Sequence, residues 1–260
     1  AVWQINTYTD SIAHWSYGFK NQEGNNNDKN AFQLGTTSFK KGYGDKVTYT
    51  AADAVRIPNG FQLSSTIGSS SYDTSWKGYS LGTSFTQPDR NTYVQYSYDP
   101  VSYKITYSLD GGSNSSSNPA SYNVLYGVTF SNPSKKGYTF AGWYIDNVKV
   151  TGINPGANAT FTSSDDMYSK LASRTVGNKT VTAKWTPNTY TVSYNGNTNT
   201  GGSTESSAHT YDAEKSLTAN GFTKTGYTFS GWNTKADGTG TPYADKATVK
   251  NLAAGGSVTL

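Results

Sequence analysis

Two segments of this chain, Gly137-Tyr-Thr-Phe-Ala-Gly-Trp143 and Gly226-Tyr-Thr-Phe-Ser-Gly-Trp232, differ at one position only. They sit inside longer matching stretches. Upstream, Tyr103-Lys-Ile-Thr-Tyr107 is answered by Tyr190-Thr-Val-Ser-Tyr194, each followed by a polar Gly/Asn/Ser run. Downstream, Val181-Thr-Ala-Lys-Trp185 closes the first unit, and Ser257-Val-Thr-Leu260 opens the same piece in the second. A period of this kind constrains a fold more tightly than composition does, because each period must be one supersecondary unit with its own core. Trp143 and Trp232, recurring in identical settings, are expected in those cores, and Trp185 and Trp3 with them.

A third trace lies at the start. Ala1-Val-Trp3 followed by Asn6-Thr-Tyr-Thr9 matches Ala183-Lys-Trp185 followed by Asn188-Thr-Tyr-Thr191. The chain thus reads as a piece of a longer array: it opens without Met on the last strand of a preceding unit and stops about two residues short of completing its own. An unpaired strand edge recruits a partner. The expectation is a weak head-to-tail self-contact, with Ala1–Trp3 docking beside the open carboxy-terminal unit of a neighbouring chain.

The fold class follows from the residue types. With 21 Tyr, 27 Gly and only 15% charged residues, the sequence favours short pleated strands joined by Gly/Asn/Ser turns. Alternation puts Tyr103, Ile105 and Tyr107 on one face, as it does Tyr190, Val192 and Tyr194, and Val181, Ala183 and Trp185. Strict alternation would set Phe140 and Trp143 on opposite faces, so Gly142 and Gly231 are read as bulges that turn the Trp inward. One helix is expected, in an insertion between Val148 and Val181: Ser163 or Ser164 caps it, Asp165 and Asp166 suit its positive end, and Met167 and Leu171 share a side.

These residues resemble the internalin-type B repeat, also called the Listeria–Bacteroides repeat, found in tandem on bacterial surface proteins. The resemblance rests on the Tyr-x-Val/Ile-x-Tyr strand, the Gly-Tyr-Thr-Phe-x-Gly-Trp signature and the closing Val-Thr-x-x-Trp strand, over about residues 101–260 and the first few residues. It implies compact β-grasp-like units, a secreted protein at the bacterial cell surface or wall, as in Gram-positive organisms, and a spacer or adhesion role. It carries no catalytic residues to transfer.

Residues 10–100 lack the signature. Candidate strands at His14–Phe19, Ala31–Phe39, Asp45–Tyr49, Gly60–Ser64, Tyr79–Phe85 and Thr92–Tyr98 suggest a small β-sandwich. The expected organisation is all-β and elongated: residues 1–9 as a spare strand, 10–100 sandwich-like, 101–187 the first repeat and 188–260 the second. Within the amino-terminal domain, Tyr72, Trp76 and Tyr79 with Asp73 and Lys77 offer what a sugar needs, aromatic planes for C–H faces and polar groups for hydroxyls. Trp76 fits two roles, a platform for a polysaccharide or host glycan, or a plug closing one end of the domain.

Other chemistries find less. There is no Cys, no Gly-x-Ser-x-Gly elbow, and the two His, His14 and His209, fall in different domains, so the chain reads as non-catalytic. Glu23, Asn25, Asn27 and Asp28 are oxygen donors without a calcium-loop spacing and read as a solvated turn, so no metal or other cofactor is expected. No basic stripe marks a nucleic-acid surface, and no apolar run approaches the roughly 20 residues of a membrane span. Two readings stand: a carbohydrate-binding surface module carried on spacer repeats, or a structural and adhesive stalk that contacts a host protein or no ligand.

Overall fold

The computed structural model describes residues 2–16, 32–48, 50, 57, 59–71, 77–80, 82, 84–87, 92–155 and 171–260. All elements with assigned bounds are strands, as the composition predicts. The first seven are β1 (Thr7–Ser16), β2 (Phe32–Gly42), β3 (Lys46–Thr48), β4 (Phe61–Ser71), β5 (Lys77–Ser80), β6 (Ser84–Thr86) and β7 (Thr92–Pro100). Five of them form one sheet in the order β2-β1-β7-β4-β5, and β3 pairs with β6 as a separate ribbon. β1 runs parallel to β7, and the other neighbours are antiparallel. A sandwich of two facing antiparallel sheets was the expectation for residues 10–100; the described residues make a single mixed sheet instead. Alternation reports that one face of a strand is covered, not what covers it, so the pattern was common to both arrangements.

The next seven strands are β8 (Tyr103–Ser108), β9 (Ser121–Tyr122), β10 (Val128–Thr129), β11 (Tyr138–Ile145), β12 (Val148–Val150), β13 (Gly152–Ile153) and β14 (Lys179–Pro187). Their sheet reads β9-β8-β14-β11-β12, with β10 and β13 as the ribbon. Strand for strand this is the order of the amino-terminal sheet. The likeness extends to backbone detail. Gly60 and Gly137 precede β4 and β11 with φ of 77° and 78°. Each accepts a hydrogen bond at its carbonyl from the chain beyond the closing strand, Val101 N at 2.8 Å and Asn188 N at 2.9 Å. Val94-x-Tyr96-x-Tyr98-x-Pro100-x-x-Tyr103 then aligns with Val181-x-Ala183-x-Trp185-x-Pro187-x-x-Tyr190. Residues 7–100 are a divergent third copy of the repeat topology.

In the first repeat the register of β11 on β14 shifts between Phe140 and Gly142, the bulge expected at this glycine. Gly142 has φ 143° and Gly231 φ 144°, a backbone that only glycine adopts without strain. The shift brings Phe140 and Trp143 together, ring centroids 5.2 Å apart, with Tyr107 and Phe130 also edge-on to Trp143. Trp143 is 2% exposed, and Val181, Ala183 and Ile105 are buried with it. The expected helix falls on residues 156–170, outside the described residues. Leu171 at its far end is fully buried with helical backbone.

The second repeat holds β15 (Thr189–Ser193), β16 (Gly201–Gly202), β17 (Ser207–Thr210), β18 (Lys215–Ser216), β19 (Phe222–Thr223), β20 (Trp232–Asn233), β21 (Pro242–Tyr243), β22 (Thr248–Val249) and β23 (Gly256–Thr259). Three strands form a sheet in the order β17-β15-β23, while β18–β22, β16–β19 and β20–β21 are separate pairs. Trp232 is 4% exposed and packs with Tyr190, Val192, Leu217, Val249 and Leu260.

Contacts divide the chain into two compact units, Ala1–Thr106 with Pro119–Thr129 and Gly152–Lys179, and Tyr107–Asn118 with Phe130–Thr151 and Thr180–Leu260. Gly142→Ala is expected to cost about 1–3 kcal/mol, because the bulge needs its positive φ. Urea unfolding followed by Trp fluorescence reads this directly, and an unchanged midpoint would show that the bulge relaxes without strain.

Candidate functional site

Of the residues singled out for sugar binding, Tyr72, Asp73 and Trp76 lie outside the described residues. Lys77 and Tyr79 belong to β5, opposite Ser69 and Ile67 of β4, so the segment joins two neighbouring strands. Trp3, expected in a core, is 90% exposed, with Val2 and Ile5 at 102% and 70%. Residues 2–6 belong to no strand, so nothing within the described residues covers this indole. Trp185 is half-buried, its ring 5.5 Å from Phe140 and its indole N–H donating to the Leu109 carbonyl at 3.0 Å.

The second repeat carries an open groove of about 1300 Å3, lined among others by Gly196, Tyr227, Phe229, Gly231, Trp232 and Leu260. Its origin is a matter of register. Val192 lies opposite Val258 in the parallel pair β15–β23, which sets Tyr194 level with Leu260. In the amino-terminal sheet Ile12, the counterpart of Tyr194, lies opposite Val94, the counterpart of Val181. Leu260 therefore holds the place of Val181. The residues that pair with β11 in the first repeat are Thr182 to Pro187, all beyond that place. The shortfall is thus the whole pairing segment, larger than residue pattern alone suggested. Tyr227 and Phe229 consequently stand 73% and 39% exposed. Trp232 keeps its aromatic neighbours, Tyr194 at 4.6 Å and Phe229 at 4.8 Å, but its buried indole nitrogen has no hydrogen-bond partner. Trp143 in the first repeat donates to the Ser131 carbonyl at 3.1 Å.

A second constellation ties the two repeats together around Asn188. Its backbone N–H donates to the Gly137 carbonyl and its carbonyl accepts from Tyr211 N at 2.8 Å. Its side chain accepts from the Thr139 hydroxyl at 2.6 Å and donates to the Ala254 carbonyl at 2.9 Å. Beside it the Tyr138 hydroxyl donates to Asp212, and the Tyr138 and Tyr211 rings meet edge-on at 5.7 Å. The Asn251 amide and the Tyr138 hydroxyl hold the Asp212 carboxyl below its ordinary value, and the Asp212 bond raises Tyr138. Asn188 carried one sequence signal, its recurrence as Asn6, whose carbonyl likewise accepts from Tyr43 N at 3.0 Å. Tyr138 and Asp212 carried none.

Ser207 Oγ lies 2.9 Å from His209 Nε2, the one Ser–His contact among the described residues. No acid orients the pair: Nδ1 has no partner, and the imidazole, stacked on Tyr190, is 1% exposed. Among the described residues no group of three or more His, Asp or Glu is placed to hold a metal. No helix there is long and apolar enough to cross a membrane.

Residues 103–170 and 190–260 match the family model of the Listeria-Bacteroides repeat domain. A curated relative in Evansella cellulosilytica, named "Putative membrane protein", is 30% identical over 169 residues, which are 63% of this chain and 22% of that protein. Another from the same organism, named "Putative Gly-rich membrane protein", is 33% identical over 117 residues, 43% of this chain and 12% of that protein. The chain spans about a fifth and about an eighth of their lengths. No solved structure matches it.

Burial, with Lys215 nearby, lowers the His209 pKa below 6.5. The unfolded chain then binds the extra proton first, so stability is full above pH 6.5 and falls as pH drops through the folded value. The thermal midpoint of the wild type is expected to decrease between pH 6.5 and 5, and His209→Asn to remove most of that decrease. Equal slopes in both proteins would assign the pH dependence to other groups.

Proposed function

Because this chain belongs to the Listeria-Bacteroides repeat family, we propose that it is a spacer segment of a surface-associated bacterial repeat protein, with units bounded near residues 100 and 187 and held in register by their junctions. The observation that carries the reading is the repeated junction bond, Val101 N to Gly60 O and Asn188 N to Gly137 O. A flexible tether needs no such bond; a spacer that fixes the separation of its units does. The Asn188 side chain adds contacts to both repeats, and the Tyr138–Asp212 bond adds a second tie. The names of the curated relatives accord with attachment to a membrane through other parts of a longer polypeptide.

Residual dipolar couplings test the spacer reading on the whole chain. Strands β11 and β15 are expected to share one alignment tensor, and Asn188→Ala to separate them while weakening the fold by about 1–3 kcal/mol. Separate tensors in the wild type would reject a fixed junction.

A second reading, carbohydrate binding through Trp76, Tyr72 and Tyr79 with Asp73 and Lys77, rests on their juxtaposition in sequence. Retention on insoluble polysaccharide that Trp76→Ala abolishes in a folded protein would support it. No retention on any glycan, or retention indifferent to that substitution, would dismiss it.

A further inference from the structure

Two of the three repeat-type sheets are closed by the same strand, and one is not. In the first repeat β14 lies against β11 with Ala183 opposite Trp143, Lys184 opposite Gly142, Trp185 opposite Phe140, Thr186 opposite Thr139 and Pro187 opposite Tyr138. In the amino-terminal sheet β7 does the same for β4, with Tyr98 opposite Leu63. In the second repeat the segment from Tyr227 to Gly231 has no strand partner, and the groove lies along it. What the groove lacks is a short extended segment with an indole at the place of Trp185.

The chain contains that segment a second time. Ala1-Val-Trp3-Gln-Ile5 aligns with Ala183-Lys-Trp185-Thr-Pro187, fixed by the shared Asn-Thr-Tyr-Thr that follows each. Val2, Trp3 and Ile5 are fully or largely exposed and pair with no strand among the described residues.

We propose that Ala1–Ile5 of a second copy of this chain enters the groove of the second repeat and pairs antiparallel with Tyr227–Trp232. The first repeat supplies the register: Ala1 falls opposite Trp232, Val2 opposite Gly231, Trp3 opposite Phe229, Gln4 opposite Thr228 and Ile5 opposite Tyr227. Trp3 then covers Phe229 as Trp185 covers Phe140. Its indole N–H reaches the carbonyl of Gly196, which stands where Leu109 stands and lines the groove. Backbone pairing supplies the affinity and the indole pocket the specificity, the usual division in strand addition. The contact is heterologous, donor at one end and acceptor at the other, so it grows open chains rather than closed dimers. It goes beyond the spacer reading and is separable from it, since failed association would leave the Asn188 junction and its couplings unchanged.

Sedimentation velocity of the 260-residue chain from about 1 μM to about 1 mM, a range that spans affinities of about −8 to −4 kcal/mol, tests the proposal. The expected result is an average mass that climbs with concentration past two chains, and association weakened about thirtyfold or more in Trp3→Ala, an exposed substitution that leaves the fold alone. Because the chain has no Cys, a pair of single variants, Gln4→Cys and Thr228→Cys, gives a covalent readout. Mixed and oxidised, they are expected to form the heterodimer in excess of either homodimer. A wild type that stays monomeric to the highest concentration, or association indifferent to Trp3→Ala, or cross-linking without preference for the mixed pair, would overturn the proposal.

Discussion

The antiparallel pairing between the strand that carries the Gly-Tyr-Thr-Phe-x-Gly-Trp signature and the strand that closes the unit organises each repeat. Backbone hydrogen bonds alone would hold two extended segments together only weakly. Here the pairing also brings Phe140 between Trp143 and Trp185, at 5.2 and 5.5 Å, so forming the ladder and covering the aromatic cluster are one event. The bulge at Gly142 is what lets Phe140 and Trp143 share a face. Where the closing strand is short of its pairing residues, as at Leu260, the core beneath survives but the signature segment loses its partner, and Tyr227 and Phe229 meet solvent.

The closing strand also governs how units follow one another. β14 ends at Pro187 and β15 begins at Thr189; β7 ends at Pro100 and β8 begins at Tyr103. Proline has no N–H to continue a ladder, so it ends one strand and passes the chain to the next unit within two or three residues. Such short connections allow the residue in between to bond backward to the glycine before the signature strand. A unit in this array is thus completed at the point where its successor starts.

Much of this was legible from sequence because recurrence reports what each unit needs for itself. Trp143 and Trp232 were assigned to the core from identical settings, and the Gly142 bulge from the mismatch between alternation and the need to bury both Phe140 and Trp143. Sheet order was not legible. Whether β1 runs beside β7, or the amino-terminal strands face one another in two layers, depends on long-range pairing that a local pattern does not encode. The third copy was hidden for a different reason. Trp143 opposite Ala183 becomes Ile67 opposite Tyr96, so residue sizes are exchanged between the two strands and the signature disappears while the topology persists. Trp3 shows the opposite hazard: its motif is intact, yet it has no strand to pack on among the described residues. The sugar-binding cluster was a matter of composition in one short segment, and backbone topology places only Lys77 and Tyr79 of it.

Hydrogen exchange on the dilute chain tests most directly whether the closing strand governs the signature segment. The amides of Tyr138, Phe140 and Gly142 should be among the more protected, and those of Tyr227, Phe229 and Gly231 should exchange orders of magnitude faster despite near-identical sequence. Equal protection in the two segments would contradict the account, because the signature would then hold its conformation without the strand on which it is here made to depend.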